Sequence, residues 1–153
     1  MNIKLLKQIS ILSLILGAVL GLITLIPYLG IFSFLICTFI AGSIVLWYLQ
    51  KLEFVGQLDT KSWSIYGAIS GFVSFIGFSI SFVPLATILG IIFKTSYYLG
   101  ISIMFKMGFF ILLLMIVFVA LISALLNGFG AMSTSYILEL YKAQKENESN
   151  NEL

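Results

Sequence analysis

The sequence predicts an all-α, polytopic membrane protein: four transmembrane helices arranged as two hairpins, with one further segment that lies on the membrane surface or re-enters it. Three observations lead there. Of 153 residues, 61% are hydrophobic and 9% charged, against about 25% charged in an ordinary soluble domain, and the mean hydropathy is +1.16. Uncharged apolar runs recur at about the 20-residue length that carries a helix across a hydrocarbon core roughly 30 Å thick. The few charges fall outside those runs.

The first run covers residues 9–26 and stops at Pro27, which lacks an amide donor and clashes with the preceding turn. After the short link Pro27-Tyr28-Leu29-Gly30 the second covers 31–49, so the two form a tight hairpin. A polar stretch with Lys51, Glu53, Asp59 and Lys61 leads to the third run, 63–83, ended by Pro84. The fourth, 107–127, crosses Asn127-Gly128 and continues in helix-compatible sequence to about residue 145. Residues 1–145 are therefore expected to form one transmembrane domain. The remaining 146–153 (ENESNNEL) has no apolar periodicity and is expected to be a disordered polar tail. Tyr28, Trp47, Tyr48, Trp63, Tyr66 and Tyr136 lie near proposed span ends, where interfacial aromatics collect.

The stretch 85–105 is apolar enough for a fifth span, yet carries Lys94 near its middle, and a central lysine costs about 2.5 to 3.5 kcal/mol on insertion scales. Thr87, Lys94, Tyr98 and Ser102 fall roughly on one helical face, so an interfacial or re-entrant segment is the preferred reading. Within it, and just beyond, Lys94, Tyr97, Tyr98 and Lys106 are candidate contacts for lipid headgroups, although ordinary interfacial anchoring accounts for them as well.

Orientation follows from lysine placement, because cytoplasmic flanks collect basic residues. With four spans, Lys4, Lys7, Lys51, Lys61, Lys142 and Lys145 share one side and Lys94 and Lys106 the other, which puts both termini in the cytoplasm of a multi-pass cell-membrane protein. A fifth span would divide the lysines evenly. The first run is too long for the apolar region of a signal peptide and lacks a small-residue cleavage site, so cleavage is not expected.

Gly17-Ala18-Val19-Leu20-Gly21-Leu22-Ile23-Thr24-Leu25-Ile26 is echoed 50 residues later by Gly67-Ala68-Ile69-Ser70-Gly71-Phe72-Val73-Ser74-Phe75-Ile76. Two helical hairpins related by a parallel repeat would produce this match, as would chance among the few residue types of membrane helices. Either way the small residues suit helix contact, because lipid tails offer no hydrophobic reason for helices to associate and close backbone approach must supply one. The helix-packing residues expected are Gly17, Gly21, Gly67, Ser70, Gly71, Ser74, Gly77, Ala124 and Gly128. Ser13, Ser33, Cys37, Ala41 and Gly42 extend the stripes of the first two spans. The competing reading of the serine face in the third span is a polar path for water or a small solute; packing is preferred, since such serines usually bond their own helix or a neighbour.

Little points to chemistry. With no histidine, imidazole catalysis and histidine metal ligation are excluded, and one cysteine allows no intramolecular disulfide. No clustered basic charge suggests nucleic acid, and no phosphate-binding loop, nucleophile elbow, HExxH or CxxC occurs. Enzyme activity, a cofactor and a bound metal are not expected. Asn127 is the most polar residue near a span, a candidate polar contact that would either bond a neighbouring helix, break its own, or meet a ligand or headgroup.

With its GA[VI]xG helix openings, IPYLG turn and short tail, the chain resembles the many small prokaryotic membrane proteins built from four glycine-rich helices. The resemblance covers the whole length, is one of architecture, and implies no functional residues. The expected function is accordingly that of a non-enzymatic accessory or assembly subunit, packed against lipid, against further copies of itself or against other membrane subunits. A small channel or transporter subunit for a neutral or weakly polar solute, and a lipid-interacting membrane protein, are the alternatives.

Overall fold

A computed structural model of the chain describes residues 3–26, 28–52, 58–93 and 108–151. These form five helices and, among the described residues, no strand: α1 (Ile3–Ile23), α2 (Leu29–Phe39), α3 (Ala41–Lys51), α4 (Thr60–Phe93) and α5 (Phe109–Asn151). Three of them, α1, α4 and α5, are long and apolar enough to cross a membrane, and the bent pair α2 and α3 makes a fourth if taken as one span.

Four differences from the sequence reading have physical causes. The run 31–49 is two helices that meet at Ile40 with a bend of 67°. Its cause lies outside the run, in a side chain of α5 described below. The third helix does not end at Pro84 but continues through it to Phe93, because one lost rung is tolerable in an apolar helix whose neighbours supply packing. It thereby takes in the first part of the segment expected to be interfacial; Lys94, Tyr97, Tyr98 and Lys106 lie outside the described residues. The last helix passes Asn127-Gly128 without a break and reaches Asn151, so 146–151 is helical rather than a disordered tail. Lysine, glutamate, glutamine and alanine between 142 and 148 are strong helix formers and let the helix propagate. Finally, α4 is the central helix, packed most extensively against α5, which follows it in sequence, and against α1, which does not adjoin it, whereas α1 and α2 share little contact.

The register of the contacts gives the helix directions. Ser13 meets Ser70 and Gly17 meets Ser74, a constant offset, so α1 and α4 run parallel. Ser64 lies against Gly128 and Thr60 against Ser135, so α5 runs antiparallel to α4.

Helix ends are set locally. Asp59 precedes α4, and its carboxylate is held below the usual carboxylate range chiefly by a hydrogen bond from the Ser62 side chain, with the Ser62 backbone amide and Lys61 acting in the same direction. This is the N-cap arrangement, in which an acceptor satisfies an amide of the first turn. Gly108 opens α5 with φ 104°, a left-handed conformation that costs a residue with a Cβ far more.

The interior is layered. One apolar cluster joins Leu5, Ile9, Val45, Leu46, Leu49, Trp63, Tyr66 and Ala131, and a second joins Leu20, Cys37, Phe75, Phe78 and Ala120. Between them in every helix order lies a layer of serines, glycines and one asparagine. Outside, large apolar side chains such as Phe110, Leu114, Leu125 and Phe129 are exposed, a surface that water would not tolerate in so small a domain.

Candidate functional site

The middle layer is assembled from α1, the α2–α3 junction, α4 and α5. Ser13, Ser70, Ser74, Ser123 and Asn127 are all completely buried, and burial of such groups is costly unless each finds a partner. Each does. The Ser13 and Ser70 hydroxyls are 2.6 Å apart, and Ser74 Oγ donates to the Ser13 carbonyl at 3.0 Å. Ser123 Oγ lies 3.2 Å from the Gly71 carbonyl and 3.4 Å from that of Cys37, both acceptors for its proton.

Asn127 is the centre of the layer. Its Oδ1 accepts from the Gly42 amide at 2.7 Å. Its Nδ2 donates to the carbonyls of Thr38 at 2.8 Å and Cys37 at 3.1 Å, and stays tied to its own helix through the Ser123 carbonyl at 2.9 Å. In an unbroken helix the Gly42 amide would bond the Thr38 carbonyl four residues earlier. Here the carboxamide of Asn127 is inserted into that rung, capping the end of α2 and the start of α3 at once. Insertion of a side chain into the i to i−4 ladder is an established cause of a sharp kink, and it accounts for the 67° bend at Ile40. Gly42 permits the approach: a Cβ there would stand 2.7 Å from the Gly67 carbonyl oxygen and 3.2 Å from Asn127 Cβ.

The expected packing residues separate by interface. Gly17, Gly21 and Gly77 serve α1 against α4: a Cβ on Gly17 would collide with the Ser74 carbonyl, one on Gly21 would lie 2.6 Å from the Phe78 oxygen, and one on Gly77 2.5 Å from the Leu14 oxygen. Gly67 and Gly71 face the other way, towards Ala131, Asn127 and Ser123 of α5. The glycines in the two halves of the 50-residue echo therefore serve different interfaces. Ser70 and Ser74 spend their hydroxyls on α1. Gly128 rests on Ser64 and Ala68 at the looser distances of 3.2 and 3.3 Å. Ala124 is only half-buried, whereas Ala120, Gly128 and Ala131 are buried, and Ser123, Asn127 and Ser135 complete the buried face of α5. The chain matches no family model, no curated protein and no solved structure.

Sequence reasoning passed over Ser123, Thr38, Ser43 and Thr134. Ser123 had a signal, one helical turn before Asn127 on the same face. Thr134 Oγ1 donates to Ser43 Oγ at 3.1 Å, across α5 and α3, and no local spacing announces that pairing. Nearer the start of α4, Thr60 Oγ1 donates to Glu139 Oε1 at 3.2 Å, so that acid is engaged with α4. Among the described residues no buried side-chain nitrogen or oxygen lacks a partner, and no three metal-ligating side chains gather.

Beside the layer, towards the start of α2, a groove of about 460 Å³ opens between α2, α4 and α5. Phe75, Phe78 and Phe82 form one wall, with adjacent ring centroids 5.7 and 5.4 Å apart. Phe34 of α2 meets Phe75 and Phe78 edge-on at 6.2 and 6.1 Å. Met115, Ile116 and Val119 of α5 face them.

Proposed function

We propose that the protein is a four-span integral membrane protein, with α2 and α3 together as one bent span, that serves as a non-enzymatic accessory or assembly subunit. The observation that carries this reading is how completely the small polar residues are used inside the bundle. Gly17, Gly21, Gly42 and Gly77 lie against neighbouring backbone and the buried hydroxyls are bonded, which suits a rigid packed unit. What is left for partners is the outside, above all α5, of whose apolar window only 17% is buried. In mild detergent the wild-type chain is expected to co-purify in fixed ratio with further copies or another membrane subunit. A variant with Leu114, Phe118, Leu121 and Leu125 all changed to alanine should keep its helicity and lose that association. Solitary wild-type chains would overturn the subunit reading.

Both termini are placed in the cytoplasm by the lysine distribution. A cysteine introduced at Asn150, in a chain carrying Cys37→Ala, is then expected to react with an impermeant thiol reagent only from the cytoplasmic side. Labelling from outside would overturn the four-span topology.

A second reading, a channel or transporter subunit for a neutral solute, draws on the broken helix, since discontinuous spans with ends at mid-depth are a feature of many transporters. Here both ends are occupied by Asn127, and the serine face of α4 is covered by α1, so packing is the better supported of the two.

A further inference from the structure

We propose that the groove between α2, α4 and α5 is a binding site for one acyl chain of a membrane phospholipid, a proposal that rests on the membrane reading above. Its walls offer a polar ligand no free hydroxyl proton. The two hydroxyls that line it, Thr24 and Ser79, already donate to the carbonyls of Leu20 and Phe75 within their own helices, at 2.8 and 2.9 Å. The remaining lining is aliphatic, aromatic and thioether, with Gly30. The groove therefore selects hydrocarbon and recognises no headgroup.

Shape and setting narrow the occupant further. The aromatic wall runs from Phe75 to Phe82 along α4, a rise of about 10 Å at 1.5 Å per residue, so the long direction follows a helix that would cross the membrane and lies alongside the lipid chains. The mouth is flanked by Ile31, exposed by 65%, and Met115, exposed by 39%, on the surface that lipid would cover. A helix from another chain is a poor occupant, since a wall about 10 Å long would meet fewer than two of its turns. A flexible chain does not have this difficulty. The wall on the α2 side, from Gly30 to Phe34, belongs to the half-helix that leaves the α3 axis at Ile40. The bend held by Asn127 thus sets where that wall stands.

The test uses the full chain, reconstituted in palmitoyl-oleoyl-phosphatidylcholine vesicles, re-extracted in mild detergent, washed, and weighed by native mass spectrometry. The wild type should retain one phosphatidylcholine per chain. Val119→Trp, which fills the groove from α5, should retain about tenfold less under the same wash, the loss expected when apolar contact equivalent to a couple of methylenes is removed. Ile11→Trp, on the exposed face of α1 and outside the groove lining, should retain as much as the wild type. If Val119→Trp loses helicity, Met115→Trp at the mouth carries the same expectation. A wild type that retains no lipid, a groove-filled variant that retains as much as the wild type, or retention only of a second protein copy would each overturn the proposal. Resistance of the wild type to alkaline extraction from the vesicles is read in parallel: an extractable chain fails the membrane reading itself, whereas an embedded chain without retained lipid fails only the groove.

Discussion

Replacing Asn127 with leucine is expected to lower the stability of the bundle by about 2 to 4 kcal/mol in mixed-micelle unfolding. The Gly42 amide and the Thr38 and Cys37 carbonyls all lose a partner in an apolar interior, at about 1–3 kcal/mol for each group left unsatisfied. Part of that loss is recovered, because without the carboxamide the Gly42 to Thr38 rung can close. Closure would straighten the α2–α3 junction and move the α2 wall of the groove, so lipid retention should fall together with stability. Asn127→Asp separates the two roles of the side chain: it keeps an acceptor for Gly42 and removes the donor to Thr38 and Cys37. Hydrogen exchange at the Gly42 amide follows the rung directly. A leucine variant with wild-type stability and unchanged Gly42 exchange would show that Asn127 does not hold the bend.

Gly17→Leu is expected to be as damaging, by a different route. A side chain at Gly17 would have to occupy the space of the Ser74 carbonyl, and backbone cannot swing aside as a side-chain tip can. Overpacking a core commonly costs about 1 to 3 kcal/mol; here the α1–α4 contact must open, so a loss beyond about 3 kcal/mol is expected, together with the Ser13–Ser70 and Ser74–Ser13 bonds. Gly128→Ala is the internal control. Its added methyl would stand 3.2 Å from the Ser64 oxygen and 3.3 Å from Ala68 Cβ, a contact that small shifts relieve, so its cost should stay below about 1 kcal/mol. Equal costs for Gly17→Leu and Gly128→Ala in the same unfolding assay would remove the case for a backbone-tight α1–α4 interface.

Much of this was legible along the chain. The small-residue spacing at Gly17, Gly21, Gly67, Ser70, Gly71, Ser74 and Gly77 marked faces that the structure does place against other helices, because close approach of backbones has a one-dimensional signature. One proline misled. Pro84 looked like an end, and α4 continues through it, since helix ends in an apolar setting answer to tertiary contacts as well as to local propensity. On α5, Gly128 is buried but Ala124 only half so, because apolar residues on every side leave little contrast from which to read the buried face.

Composition and the spacing of small residues alone were enough to establish helices, an apolar surround and the residues through which those helices approach one another, since each depends on the local run of the chain. The broken second span, the central position of α4 and the aromatic groove came only with the tertiary structure. Gly42 and Asn127 are 85 positions apart, and nothing near Ile40 announces that its helix will be opened by a side chain from another one. A bend made by insertion depends on a partner brought in by folding, and a groove depends on where that bend leaves the wall.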